Sequence, residues 1–160
     1  QTCALPILRL NHDYVRDILL FIEKDLDYKD SSNPNYRNEL PFGQLLVSDK
    51  FSKYNKEELT YALELLTKEG FIDCAKNPYF VRGSLMQADI IGLTWSGHQL
   101  LDNIRNDTVW NAVKEKSKKF GKFSLNTLAT CAGQLTIALM SNPNAVQNFF
   151  DGVNNIGNMV

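Results

Sequence analysis

Apolar residues along the chain fall into stretches of helical period separated by short, turn-rich segments. In LNHDYVRDILLFIEKDL (residues 10–26), Val15, Ile18, Leu19, Ile22 and Leu26 recur at intervals of three and four, which predicts one helix with a single buried stripe ending near Leu26. Asn11 is placed as its N-cap, Asp13 puts a carboxylate in the first turn, and Leu10 is set to pack on Val15. Residues 27–41 are polar, and Asn33 before Pro34 is biased away from helix, so this stretch reads as a loop. GQLLVSD (43–49) after it reads as a short strand.

The next helix is predicted over about 55–69. There Leu59, Ala62, Leu63 and Leu66 share one face, and Gly70 is placed to end it in a left-handed cap. FIDCA and ADIIGLT then have strand character, and NPYFVRGS between them marks an exposed hairpin tip through Asn77, Pro78 and Gly83. Thr94 is set to cap a following helix whose apolar face is Gly97, Leu100, Leu101 and Ile104, with Gly97 allowing close approach to a neighbour and Trp95 roofing the core. DTVWNAVKEKSKKFG predicts a further helix that gives way at Gly121. The last long helix starts from Ser124, with Phe123 stapled to Leu128. Its Leu125, Leu128, Ala132, Leu135 and Leu139 alternate spacings of three and four and make a short heptad seam that stops before Asn142 and Pro143.

Composition narrows the class. With 44% apolar and 22% charged residues in 160, the chain is long enough to bury roughly 70% of its unfolded surface, as a soluble globular domain does. The three cysteines Cys3, Cys74 and Cys131 are dispersed, which argues against a disulfide framework or a structural metal and fits a reducing cytoplasm. The apolar window 125–140 is interrupted by Asn126, Gln134 and threonines, so no membrane span is expected. QTCALPI lacks the basic start of a signal peptide. It resembles read-through of a sequencing adaptor, so residues 1–7, Cys3 included, are expected to be non-native, with the protein proper starting near Leu8.

Charge is uneven. Residues 105–122 carry six basic side chains against Asp107 and Glu115, a net +4, and the preceding 104 residues sum to −4. Any electrostatic attraction for an anion on that stretch competes with the plainer reading of a lysine-rich solvated helix face.

Catalytic signatures are missing from the sequence: no phosphate-binding glycine loop, H-E-x-x-H, G-x-S-x-G or Walker lysine occurs. Only His12 and His98 offer an imidazole. His12 opens a helix, where capping is its ordinary role, and His98, one turn before Asp102, reads as an edge residue tied to that carboxylate. No catalytic residue, cofactor or metal is therefore assigned, and a non-enzyme is expected.

Helix, strand, long hairpin, strand, helix is the order of a winged helix. Leu66, Gly70, Phe71 and Ile72, followed by Leu93, Thr94, Gly97, Leu100 and Leu101, resemble two patterns of winged-helix regulators of the multiple-antibiotic-resistance type. These are the end of the recognition helix and the return strand of the wing. LNHDYVRDILLFIE, LELLTKEGFI and GLTWSGHQLLDNIRNDTVW together resemble more closely a bacterial and phage family catalogued as domain of unknown function 2513, whose members usually carry an acid where this chain has Ser96.

The DUF2513 likeness itself implies no activity. The element order gives a mainly α fold with a small antiparallel β-hairpin, a winged helix-turn-helix at 8–106, C-terminal helices at 107–141 and an Asn-rich tail at 142–160. The likeness to winged-helix regulators carries the functional expectation: it implies double-stranded DNA as partner and a regulatory role. The residues set to contact DNA are Lys50, Lys53 and Lys56 before the second helix, Tyr61 and Lys68 on it, and Lys76, Tyr79 and Arg82 on the wing. Each has a plain surface alternative, and Tyr79 and Phe80 have the alternative of packing the hairpin on the core. Glu57 and Glu64 on the same helix oppose phosphate, which leaves a protein-recognition module as the second reading. The 125–139 seam is the candidate homodimer contact.

Overall fold

The computed structural model describes residues 10–26, 38–120, 124–148 and 151. The expected non-native start, residues 27–37 of the expected 27–41 loop, the helix break at Gly121, the Phe123 staple and most of the tail lie outside them. The end of that loop, Leu40–Pro41, is instead a short strand paired with residues 89–90. The protein is mainly helical with small antiparallel sheets, and its contacts divide it into two compact units, 1–98 and 99–160.

In the first unit, α1 (His12–Asp25) starts where Asn11 accepts a hydrogen bond from the Asp13 amide at 3.1 Å, and it buries Val15, Ile18, Leu19 and Ile22 completely. This stripe packs against α3 (Lys56–Lys68), whose buried face is Leu59, Ala62, Leu63 and Leu66. Asn55 caps α3 by accepting from the amides of Glu57 and Glu58 at 2.9 and 3.1 Å. At the other end Gly70 takes φ +74, and the amides of Gly70 and Phe71 return to the carbonyls of Thr67 and Leu66 at 3.2 and 2.9 Å, a Schellman closure that satisfies the last carbonyls of the helix.

A three-stranded antiparallel sheet, ordered β1-β5-β2, covers this helical pair. It consists of β1 (Leu40–Pro41), β2 (Ile72–Cys74) and β5 (Asp89–Leu93). The central β5 pairs Ile90 with Leu40 on one side and Leu93 with Ile72 on the other. Pro41, with no amide proton to give, sits on the edge strand, where proline is tolerated. Between β2 and β5 the chain makes a separate two-stranded hairpin of β3 (Tyr79–Val81) and β4 (Ser84–Gln87).

One expected element changes type. GQLLVSD does not form a strand: Phe42–Val47 is the helix α2, followed by a 3-10 turn at Asp49–Phe51. A strand would put Leu45 and Val47 on one face, whereas Leu45 is fully buried and Val47 is 69% exposed, the separation that helical rotation gives to residues two apart. Periodicity cannot tell a strand from a helix over so short an apolar run.

Residues 92–98 close the first unit. Leu93 ends β5 and Thr94 caps α4 (Trp95–Arg105), its hydroxyl accepting from the Gly97 amide at 3.1 Å and donating to the Gly70 carbonyl at 2.6 Å. The Thr94 amide donates to the Phe71 carbonyl at 3.1 Å. Gly97 faces that same carbonyl so closely that a Cβ would lie 2.1 Å from the Phe71 oxygen. Trp95 does not roof the core. It is the first residue of α4 and stands 77% exposed, pointing away because the buried face is set by Gly97, Leu100, Leu101 and Ile104.

In the second unit, Asn106 caps α5 (Asp107–Phe120) by accepting from the amides of Thr108 and Val109 at 2.8 and 3.3 Å. The buried face of α5, Val109, Trp110, Ala112 and Val113, packs with α6 (Leu125–Ser141), and Ser124 caps α6 by accepting from the Thr127 amide at 3.2 Å. Leu125, Leu128, Ala132 and Leu135 are all buried within the single chain and Leu139 is half-buried. They are core of the monomer and not an open seam: the face that α6 leaves to solvent carries Ile137 and Met140. Among the described residues no helix is long and apolar enough to cross a membrane.

Candidate nucleic-acid interface

The hairpin tip is built on a constraint. Val81 pairs with Ser84, so Arg82 and Gly83 alone make the turn, at φ +49 and +89. Such a two-residue turn needs positive φ at both positions, which Gly, Asn and Asp adopt most cheaply. Arg82 is the one described non-glycine residue at positive φ. Its side chain is exposed, as are those of Lys76 and Tyr79, whereas Phe80 is half-buried. The packing alternative raised for the two aromatics therefore holds for Phe80 and not for Tyr79.

The hairpin leans on α3. Leu85, the buried residue of β4, donates its amide to Glu64 Oε1 at 2.6 Å. The Lys68 ammonium donates to the Gly83 carbonyl and lies 5.1 Å from the Phe80 ring centroid. Two residues expected on the outward face of α3 are thus engaged by the hairpin, one of them the candidate Lys68. Tyr61 is half-buried, and Glu57 and Lys56 remain exposed toward the start of the helix.

That start is held by a cluster the sequence reading did not single out. The Tyr14 and Tyr54 rings stack with centroids 4.4 Å apart, and Tyr54 also meets Phe51 edge-on at 5.3 Å. The Tyr54 hydroxyl donates to Asp17, and the Tyr14 hydroxyl accepts from the Asn55 amide at 3.1 Å. Burial first, then the Asp17 carboxylate, holds the Tyr54 phenol well above its ordinary value, so it stays a donor. Asn55 followed three residues later by Glu58 is the capping pattern that was there to be read. Of the lysines before α3, Lys50 and Lys53 are both exposed, and the Lys50 ammonium sits 5.6 Å and 5.8 Å from the ring centroids of Phe21 and Phe51.

His98 is exposed, and Asp102 accepts from Arg105 at 3.3 Å in a solvated pair. Among the described residues no three His, Cys, Asp or Glu side chains are grouped to hold a metal ion. Cys74 on β2 is half-buried, and burial first, then the carboxylates of Asp73 and Asp89, pushes its thiol up to about 11 from an ordinary 9.0. The thiolate is the nucleophile, so the folded protein presents an unreactive thiol at neutral pH. Alkylation of Cys74 followed by mass spectrometry is expected to keep accelerating about tenfold per pH unit past pH 9; a plateau by pH 9 contradicts the assignment. The sign for stability follows: the unfolded thiol ionises first, so this group's contribution is complete below pH 9 and is lost as pH rises toward 11.

The family model described as Hypothetical protein (DUF2513) matches residues 9–123, most of the chain. The chain belongs to the DUF2513 family. A Haemophilus influenzae protein described as "Uncharacterized protein" is similar to it, 34% identical over 113 residues that cover 69% of this chain and 80% of that protein. No solved structure matches. In this DUF2513 chain the match covers α1, α3, the Schellman closure after α3 and the Thr94–Gly97 contacts described above.

Proposed function

We propose that this protein is a small winged-helix protein that binds double-stranded DNA in a regulatory role, without catalysis. The element order of the first unit supports it: α1, β1, α2, α3, β2, hairpin, β5, with sheet order β1-β5-β2. In such an arrangement α3 takes the place of the recognition helix and β3–β4 that of the wing. The observation that carries the reading is Arg82, a cation held in left-handed backbone at the tip of an exposed hairpin. A residue costing of order 1 kcal/mol where glycine is cheap points to a use for its side chain, and an exposed guanidinium on a wing suits phosphate or the minor groove. Lys50, Lys53 and Lys56 add cations before and at the start of α3. The objection raised by Glu64 is weakened, since its carboxylate is occupied by the Leu85 amide.

Fluorescence anisotropy on a mixed-sequence duplex tests this. Affinity is expected to fall steeply between about 50 and 200 mM salt, and Arg82→Ala should reduce the slope of log K against log salt by about one, with Lys50→Ala plus Lys53→Ala reducing it by about two. Absence of binding by folded protein at low salt overturns the proposal. The second reading, a winged-helix module for protein recognition, is favoured by Trp95 at 77% and Val47 at 69% exposure, because bulky apolar side chains left open to water suit a protein partner.

A further inference from the structure

We propose that Glu64 and Lys68 are positioning residues for the β3–β4 hairpin, and through it for Arg82. The hairpin belongs to neither edge of the three-stranded sheet, and an isolated two-stranded hairpin is marginal in water. Its placement must come from what it touches. Beyond its continuity with β5 through Ala88, contacts that hold it come from α3: Leu85 is buried, its amide is held by Glu64, and Lys68 takes the Gly83 carbonyl while lying over Phe80.

Glu64 and Lys68 are four apart on α3 and so share one edge of it. Phe80 and Leu85 are cross-strand partners, which puts the ring and the leucine on the face turned to that edge. Gly83 adjoins Arg82 in the turn, so Lys68 grips the peptide next to the residue proposed to meet DNA. The pair of charges on α3 is thereby accounted for as a fastening, and neither charge is offered to a nucleic acid.

The consequence for binding has an unexpected sign. An acid facing phosphate weakens affinity, so its removal should strengthen binding. If Glu64 instead holds the hairpin, losing its acceptor should weaken binding even though a negative charge is lost. Glu64→Gln and Glu64→Ala separate the two, because both remove the charge and only alanine removes the acceptor.

The test uses the full chain and has two arms, the second of which rests on the DNA reading above. In hydrogen exchange, Glu64→Ala should raise the rates of the Leu85 amide and its hairpin neighbours about tenfold or more while β2 and β5 stay unchanged, with Glu64→Gln close to wild type. In duplex binding at low salt, Glu64→Ala should bind about fivefold more weakly than wild type, and Glu64→Gln as tightly or more tightly. Unchanged exchange at Leu85 in Glu64→Ala overturns the proposal, and so does duplex binding by Glu64→Ala that equals that of Glu64→Gln. If wild type binds no duplex, the function proposed above falls and the exchange arm alone decides this one.

Discussion

Gly97→Ala is expected to destabilise the protein by about 3 kcal/mol, lowering the thermal midpoint by roughly 6–12 °C. Two effects oppose each other at this position. Alanine inside a helix is favoured over glycine by about 1 kcal/mol. Against this, the new methyl would sit 2.1 Å from the Phe71 carbonyl oxygen and 3.2 Å from the Leu93 Cβ. Neither backbone oxygen nor Cβ can rotate away, so relief requires the first turn of α4 to move off Phe71. That motion would stretch the Thr94 bridge to Gly70 and loosen the end of β5, on which the hairpin's return depends. Gly133→Ala on α6 is the control: its nearest neighbour is the movable end of the Asn103 side chain at 3.2 Å, so stability should hold or rise by up to about 1 kcal/mol. Calorimetry on both variants checks the pair, and a midpoint for Gly97→Ala at or above wild type would contradict the described approach of α4.

Leu128→Glu combined with Leu135→Glu should abolish folding of the second unit and not release a folded monomer. Both leucines are buried against the α5–α6 packing, and an unpaired carboxylate forced into such a place costs several kcal/mol each, as much as a typical domain's whole stability. On the opposite face, Ile137→Glu with Met140→Glu should change stability by no more than about 0.5 kcal/mol per site, since both side chains are exposed. Circular dichroism with light-scattering mass separates the outcomes. Retained helicity with a halved mass in the Leu128 and Leu135 variant would restore the seam as an interface between copies.

The heptad seam shows where the sequence stops being informative. Spacing of three and four marks an apolar face, and the same leucines serve a coiled coil or a helix packed within its own chain. The partner α5 supplies the deciding contacts, and its buried Val109, Trp110, Ala112 and Val113 are legible as partners only once the two helices are seen together. Local punctuation was read more completely. Asn11, Thr94 and Ser124 each start a helix and Gly70 ends one, as expected, because a cap depends on atoms within a few residues. Gly97 likewise proved to be a close-approach residue.

The candidate interface was legible in its exposed cations and hidden in its internal contacts. Lys50, Lys53, Lys56, Lys76 and Arg82 are exposed as supposed. That Glu64 and Lys68 bind the hairpin depends on a return of the chain 21 and 15 residues later, bringing Leu85 and Gly83 back to α3. No spacing rule reports such a contact. Trp95 failed for the opposite reason: a large aromatic beside an apolar face invites a core assignment, but helical rotation from Leu100 and Leu101 directs it to solvent.

The central claim is that the first unit meets duplex DNA through the hairpin tip and the start of α3. Amide chemical-shift mapping of the whole protein, titrated at low salt with a duplex of about two helical turns, tests it most directly. The account predicts that amides of residues 50–56, Tyr61, Lys76 and 79–83 shift or broaden together while those of α6 stay in place. Shifts confined to the lysine-rich α5 or to the surroundings of Trp95, or none at excess duplex, would contradict it.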